Sequence, residues 1–144
     1  MTSFIEPSTE TAQAGDRSAP APPPLPENPI DVTQTHVVAE FKHEVPLTTC
    51  RIDPTGRFVF AGAEDFNVYR WDLSDDNTSK TVFSGHQSWV RSLDFSPDGK
   101  LLFTAGYDDH IGVWNTADPT PTPVRMIDAH KGWVRWVRVS ADGR

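Results

Sequence analysis

The chain has 144 residues and a formal net charge of −7, and its length is that of a single ordinary domain. It carries no basic stripe to displace counterions from phosphates, which argues against nucleic acid or an anionic membrane as the main partner. An internal disulfide is excluded because Cys50 is the single cysteine. The sequence begins without a secretory signal, and no apolar run reaches the ~20 residues of a membrane span. We therefore expect a soluble, cytoplasmic protein.

Residues 1–34 are predicted to form a disordered leader. The stretch MTSFIEPSTETAQAGDRSAPAPPPLPENPI is rich in Pro, Ala, Ser, Thr and Glu and offers few large apolar groups to bury. Arg17, Pro20 and Pro23 have the spacing of a ligand for polyproline-binding domains, although a solvated, stiff tether is the simpler interpretation. Residues 43–144 hold fourteen acids and eleven bases, so the rest of the chain is only mildly acidic.

A repeat of 43 or 44 residues follows the leader. His43, His86 and His130 fall in line, and each is followed eleven positions later by a turn residue, Pro54, Pro97 or Ala141, in DPTGR, SPDGK and SADGR. The runs VPLTTCRI, WVRSLDF and WVRWVRV precede these turns. Two copies continue after the turn with FVFAGAED or LLFTAGYDD, and they close with Trp71 in NVYRWD and Trp114 in IGVWN.

The runs between the turns have the character of short β-strands. Each has five to eight residues, is β-branched or aromatic, and is bounded by Gly, Pro, Asp or Asn. No apolar set continues at helical spacing across these breaks. A unit of about four strands that recurs every 40–45 residues predicts an all-β fold of radial or stacked sheets. In the strand-like run LTTCRI, we expect Cys50 to be a small buried core residue.

Several motifs of the second copy recur together in register. They are GH at Gly85–His86, SPDG at Ser96–Gly99, AGYDD at Ala105–Asp109 and VW at Val113–Trp114. Together they resemble one repeat of the WD-repeat β-propeller family, and the first copy ends in a Trp-Asp pair, Trp71–Asp72. The resemblance spans residues 36–144. It implies about two and a third propeller blades, which form an incomplete ring.

The resemblance also implies a hydrogen-bonded set of His, Ser or Thr, Asp and Trp inside each blade. Matching the motifs gives two sets: His43, Asp65 and Trp71 in the first copy, and His86, Asp108 and Trp114 in the second. The hydroxyl position matches Ala61 and Ala105, so both networks are expected to be incomplete. The sequence departs from the family pattern at three other positions, where Lys42 and Ala129 replace Gly and Asn115 replaces Asp.

The repeats set the expected domain boundaries. Residues 35–144 form the propeller portion, in which residues 35–42 resemble the outer strand of a closing blade. Repeat 1 covers residues 43–85, repeat 2 covers 86–129, and 130–144 begin repeat 3. Because three or more such units are generally needed to bury a continuous core, we expect the remaining blades to come from a missing C-terminal region or from other subunits.

Two aligned residue pairs are candidates for partner binding. Trp89 aligns with Trp133, and Arg91 aligns with Arg135, at positions that the resemblance places near the central channel, where partner peptides dock. Trp and Arg often dominate binding free energy at interfaces. The alternative is structural: each Trp packs on the adjacent loop and each Arg pairs with a neighbouring acid.

The sequence predicts no enzyme, no cofactor and no metal. The histidines lie tens of residues apart without ligand spacing, and neither a Gly-x-Ser-x-Gly elbow nor a phosphate-binding glycine loop is present. The predicted function is a non-catalytic scaffold for protein or peptide partners. Two alternatives stay open: a sensor or targeting module of a larger enzyme or regulatory protein that continues beyond residue 144, and a short chain that self-assembles into a ring.

Overall fold

A computed structural model describes residues 31–37, 39–74, 79–128 and 130–143 of the protein. The chain divides into two units after Val37. In the first unit, Val32–Gln34 form a short 3-10 helix. Among the described residues, no helix is long and apolar enough to cross a membrane. The rest of the predicted leader, residues 1–30, lies outside the described part of the chain.

The second unit contains two four-stranded antiparallel sheets in which the strand order follows the chain. The first sheet consists of β1 (Leu47–Ile52), β2 (Phe58–Ala63), β3 (Asn67–Asp72) and β4 (Lys80–Ser84). The second sheet consists of β5 (Val90–Phe95), β6 (Leu101–Gly106), β7 (His110–Asn115) and β8 (Arg125–Asp128). The predicted all-β fold class of four-stranded units is therefore confirmed.

Equivalent turns connect the first two strands of each sheet. Gly56 (φ 74°) and Gly99 (φ 70°) occupy the left-handed position of these turns, where glycine carries no steric penalty. The Gly56 amide donates to the Asp53 carbonyl at 2.9 Å, and the Gly99 amide donates to the Ser96 carbonyl at 2.8 Å. The repeated Pro-x-Gly sequence thus closes the same hairpin twice.

The main hydrophobic core lies between the two sheets. Its fully or almost fully buried members come from both of them: Phe60, Val68, Phe83, Val90, Leu93, Phe95, Leu102 and Trp114. Phe60 lies 5.2 Å from Phe95, and Phe83 lies 5.8 Å from Trp114, between ring centroids and in edge-to-face orientations. Because each such side chain contributes about 1.5–3 kcal/mol on burial, contact between neighbouring sheets is a main source of stability in this unit.

A smaller apolar cluster covers the opposite face of the first sheet. Alternate residues of a strand point to opposite faces, so Phe60 enters the main core while Ala61 joins Tyr69 and Trp71 in this second cluster. The Phe41 ring packs against Trp71 at 5.9 Å. The residues described between 35 and 42 form no strand, and an outer strand of a closing blade stays a prediction for this segment.

Residues 130–143, here called the third-repeat segment, follow β5 along the second sheet. The Val137 amide donates to the Ser92 hydroxyl at 3.2 Å, and the Val139 amide donates to the Asp94 carboxylate at 2.8 Å. The segment contains the run that was predicted as a strand, but no strand ladder forms within its described residues. Its contacts to β5 are made through side chains, which cannot build a backbone ladder.

One core prediction is wrong. Cys50 was expected to be buried, yet its side chain is exposed. The physical reason is the face of β1 on which it lies: Cys50 pairs with Ala61, which belongs to the smaller cluster and not to the main core between the sheets. A β-branched and apolar strand sequence therefore did not by itself indicate burial.

Candidate functional site

A continuous polar network ties the strands of the second sheet together. The Trp114 indole donates from Nε1 to the Thr104 Oγ1 at 2.9 Å. Thr104 Oγ1 lies 2.6 Å from His86 Nε2, and His86 Nδ1 lies 2.9 Å from the Asp108 carboxylate. Asp108 also accepts the Gln87 amide at 2.7 Å. The network therefore joins the loop before β5 to β6, to β7 and to the turn between them.

The expectation that Ala105 occupies the hydroxyl position is wrong. Thr104 fills this position, and it lies ten residues before Trp114, whereas Ala61 lies ten residues before Trp71. Counting back from the tryptophan, rather than aligning the Ala-Gly pairs, would have found it. The network of the second sheet is complete, and only the first sheet lacks the hydroxyl.

The protonation states follow from the chemistry of the donors and acceptors. Burial lowers the pKa of His86 from its ordinary value of 6.5, although Asp108 opposes the shift. A neutral imidazole that donates from Nδ1 to a carboxylate has a bare Nε2. Nε2 then accepts the Thr104 hydroxyl hydrogen, and the Thr104 oxygen accepts the Trp114 N–H. Each buried group is satisfied, which makes the network structural rather than reactive.

The first sheet places its predicted set differently. Asp65 accepts the Tyr69 hydroxyl at 2.5 Å, and His43 makes a hydrogen bond to neither Asp65 nor Trp71 among the described residues. Instead, His43 Nδ1 lies 3.0 Å from Lys80 Nζ, and the buried His43 Nε2 has no partner. Burial, followed by the bond to Asp65, raises the pKa of Tyr69 to about 12, so the phenol stays a donor.

Two facing positions explain the difference between the networks. Ala61 pairs with Tyr69 in the first sheet, and Thr104 pairs with Gly112 in the second. A Cβ at Gly112 would lie 2.6 Å from Thr104 Oγ1 and 2.7 Å from Trp114 Nε1, closer than unbonded atoms tolerate. The hydroxyl network therefore requires glycine at this position, whereas alanine leaves room for the Tyr69 ring.

Three aromatic rings form a stack at one end of the second sheet. The Tyr107 ring lies between the Trp89 ring, at 6.3 Å and an interplanar angle of 23°, and the Trp133 ring, at 4.7 Å and 15°. The Arg91 guanidinium lies 5.6 Å from the Tyr107 centroid, and that of Arg135 lies 5.6 Å from the Trp133 centroid. We call these five side chains the aromatic face. It brings together all four residues that were predicted to bind partners.

Backbone hydrogen bonds position the aromatic face. Trp89 lies just before β5 and Tyr107 just after β6, and the Tyr107 amide donates to the Trp89 carbonyl at 3.0 Å. The Val134 amide donates to the Gly106 carbonyl at 3.1 Å, which places Trp133 beside Tyr107. Sequence analysis missed Tyr107, and its position directly after the last glycine of the strand run is the signal that could have found it.

The aromatic face remains accessible. Trp89 is 41% exposed and Trp133 is 62% exposed, and both arginines are exposed. Among the described residues, neither Arg91 nor Arg135 forms an ion pair. In contrast, Arg51 and Arg138 both approach the Asp94 carboxylate, at 3.4 Å and 3.9 Å. The structural alternative therefore fails for the arginines, which pair with no acid among the described residues, whereas both tryptophans do pack on Tyr107.

The first sheet has no aromatic face at the equivalent positions. The Glu64 amide donates to the Pro46 carbonyl at 3.1 Å, just as the Tyr107 amide donates to the Trp89 carbonyl. Glu64 and Pro46 thus stand where the second sheet has two aromatic rings. Thr48 replaces the first arginine, and its hydroxyl donates to the Gly62 carbonyl at 3.1 Å. The same strand connections form without the stack, so the stack is not needed to build the sheet.

Within the described residues, no group of three or more His, Cys, Asp or Glu side chains is placed to hold a metal ion. The polar groups that come closest to a catalytic arrangement are His86, Asp108 and Thr104. His86 and Thr104 are buried, the Asp108 side chain is 6% exposed, and both Asp108 and Thr104 are bonded to His86, so they present no free nucleophile or base to a substrate. The aromatic face, in contrast, is exposed and offers aromatic rings and cations for binding.

Comparison with known proteins agrees with the repeat structure. Residues 35–72 and 77–115, which together make up more than half of the chain, match the family model of the WD domain, G-beta repeat. Both matches end at the close of the third strand of a sheet, at Asp72 and Asn115.

Similar curated proteins come from diverse organisms. Denticleless protein homolog B of Xenopus laevis is 34% identical over 104 residues, which cover 70% of this chain and 15% of that protein. Nuclear distribution protein PAC1-1 of Uncinocarpus reesii is 35% identical over 88 residues, or 61% of this chain and 19% of that protein. WD repeat and SOCS box-containing protein 1 of Homo sapiens is 38% identical over 63 residues, or 43% and 15%. The chain spans less than a quarter of the length of these relatives. With two matched repeats and two four-stranded sheets, it belongs to the WD-repeat family of β-propeller proteins.

Proposed function

We propose that the protein is a non-catalytic scaffold that binds protein or peptide partners through the aromatic face. WD repeats generally mediate contacts between proteins. The observation that carries the proposal is the stack of Trp89, Tyr107 and Trp133, which leaves two large indoles exposed at one end of a sheet. Exposed aromatic groups that are held together in this way provide a surface for association.

The stack suits binding on energetic grounds. Trp, Tyr and Arg are enriched among the residues whose truncation costs ~2 kcal/mol or more at an interface. Contact of Tyr107 with both indoles fixes these rings before a partner arrives. Because an ordered surface loses less side-chain entropy on association, more of the contact free energy remains for affinity.

Comparison of the two sheets supports a functional origin of the stack. The first sheet closes the same loops with Pro46, Thr48 and Glu64, so packing alone does not demand large aromatic groups there. Exposed aromatic side chains that the fold does not require are candidates for recognition.

Binding by Trp89→Ala and Trp133→Ala variants of the full-length protein tests the proposal. Partners are first captured from a lysate on the wild-type protein and identified, and their affinities for each variant are then measured by titration. We expect each substitution to weaken partner binding at least tenfold, which corresponds to about 1.4 kcal/mol. Circular dichroism and thermal unfolding of the variants report whether the fold is intact.

Val124→Ala is the matched control. Val124 is an apolar residue that is 65% exposed and lies just before β8, outside the aromatic face. Its substitution is expected to leave the affinity unchanged. Equal affinities of the wild-type, Trp89→Ala and Trp133→Ala proteins would refute the assignment of the binding surface.

The two alternative functions and the cytoplasmic location stay predictions. A self-assembled ring would be recognised by its mass in solution, which would be a multiple of 16.0 kDa for this chain. A module of a larger enzyme would be recognised by a catalytic motif in the sequence that follows residue 144.

A further inference from the structure

We propose that the partner segment bound by the aromatic face is acidic: a peptide that carries Asp or Glu side chains beside an apolar or aromatic one. This inference rests on the proposed function and adds the chemistry of the ligand.

The two arginines of the aromatic face have unused hydrogen-bonding capacity. The guanidinium carbons of Arg91 and Arg135 lie 5.6 Å from the ring centroids of Tyr107 and Trp133, and neither side chain makes a hydrogen bond or an ion pair to another described residue. A guanidinium that lies over a ring still presents N–H donors at its edge, and these donors match the two oxygens of a carboxylate. Both guanidinium groups thus lie beside the rings with N–H donors left for a ligand.

Two acids close in sequence to the aromatic face are committed elsewhere, and a third, Asp109, forms no ion pair with Arg91 or Arg135 among the described residues. Asp108 follows Tyr107 directly, but its carboxylate is bonded to His86 and to the Gln87 amide. Asp94 lies in β5 three residues after Arg91, and it is shared between Arg51 and Arg138. Although the chain as a whole has a net charge of −7, these two carboxylates are therefore engaged and do not neutralise the face.

The pairing of exposed indoles with cations selects among possible ligands. An apolar peptide would leave both guanidinium groups without an anionic partner, and a basic peptide would meet like charges, which weaken an interface. An acidic peptide with one large apolar side chain satisfies both features, because it covers the indoles and pairs with the arginines.

Selection of random decapeptides on the immobilised full-length protein tests this inference. The displayed library is selected in parallel on the wild-type protein, on the Trp89→Ala/Trp133→Ala variant and on the Arg91→Ala/Arg135→Ala variant. Peptides that need the two tryptophans are synthesised, and their affinities are measured by fluorescence anisotropy. Arg125→Ala, which removes an exposed arginine in β8, is the matched control.

We expect peptides that depend on the tryptophans to be enriched in Asp and Glu. Replacing these acids by Asn and Gln should weaken binding about tenfold or more, as should Arg91→Ala/Arg135→Ala, whereas Arg125→Ala should have no effect. Binding that depends on the tryptophans but is insensitive to the acids would overturn the acidic ligand and leave the binding function standing. Failure to select any peptide that depends on the tryptophans would overturn both.

Discussion

The first and second sheets have the same strand order, yet they hold their strands together with different side chains. In the second sheet, Thr104 joins Trp114 to His86. In the first sheet, Tyr69 donates directly to Asp65. A hydroxyl that faces glycine and a phenol that faces alanine are thus two solutions to one backbone arrangement. The repeated backbone does not dictate which polar network ties it together.

The same lesson applies to the exposed ends of the sheets. Pro46 and Glu64 in the first sheet are joined by the backbone bond that joins Trp89 and Tyr107 in the second. The fold is determined by the turns, by the alternation of residues along the strands and by the core between the sheets. Positions outside these features are free to differ between repeats, and a binding surface can be built there.

The largest effect is expected from removing the hydroxyl that distinguishes the second sheet. Thr104→Ala leaves the Trp114 N–H and His86 Nε2 buried without their partner, and each such group costs about 1–3 kcal/mol. We expect the free energy of unfolding to fall by about 3 kcal/mol in urea denaturation. Thr104→Ser keeps the hydroxyl and should lose less than about 1 kcal/mol. Similar losses in both variants would show that the methyl group, not the hydroxyl, stabilises the sheet.

A smaller effect is expected from acidification, through His86. Burial holds the pKa of His86 below its ordinary 6.5 in the folded protein. The Asp108 carboxylate acts to raise this pKa, and His110 acts to lower it further. The unfolded chain therefore binds a proton first, and stability should fall as the pH drops below about 6.5, by up to about 1.4 kcal/mol for each pH unit. The fall ends once the folded imidazole also takes up a proton.

Unfolding of the wild-type protein and a His86→Gln variant between pH 7.5 and pH 5 measures this contribution. Other groups titrate in both proteins, so the difference between the two curves isolates His86. The lower limit stays above the ordinary pKa of Asp108, which is lowered further in the folded protein. Parallel curves would mean that His86 contributes nothing to the pH dependence.

The sequence was a good guide to features that repeat. Strand alternation, Pro-x-Gly turns and a period of 43 or 44 residues predicted two four-stranded sheets, because these features act locally. The two tryptophans and two arginines of the aromatic face were also found by alignment of the copies. Repetition in the sequence here corresponds to repetition in the backbone.

Features that depend on pairs of facing residues were not predicted. Thr104 was overlooked because the match was made at Ala-Gly pairs, which fall at different distances from Trp71 and Trp114. The Tyr69 ring fits because the facing residue on β2 is the small Ala61. The residue pattern of one strand does not predict which residue of the next strand faces it. Exposure of Cys50 depends on which face of the first sheet is covered by the main core, which is also a property of the assembled sheets.

The smallest and most specific effect is expected from transplanting the network into the first sheet. In the wild-type protein, Ala61→Thr brings extra atoms against the facing Tyr69 ring and should destabilise the sheet, since overpacking is costly. In a Tyr69→Gly background, the same substitution gains space and can supply the oxygen that His43 Nε2 lacks, so it should stabilise. We expect a favourable coupling of about 1 kcal/mol in a double-mutant cycle. If the two substitutions change the free energy of unfolding additively, Ala61 and Tyr69 are not coupled. A threonine that faces glycine would then form the hydroxyl network only in the second sheet.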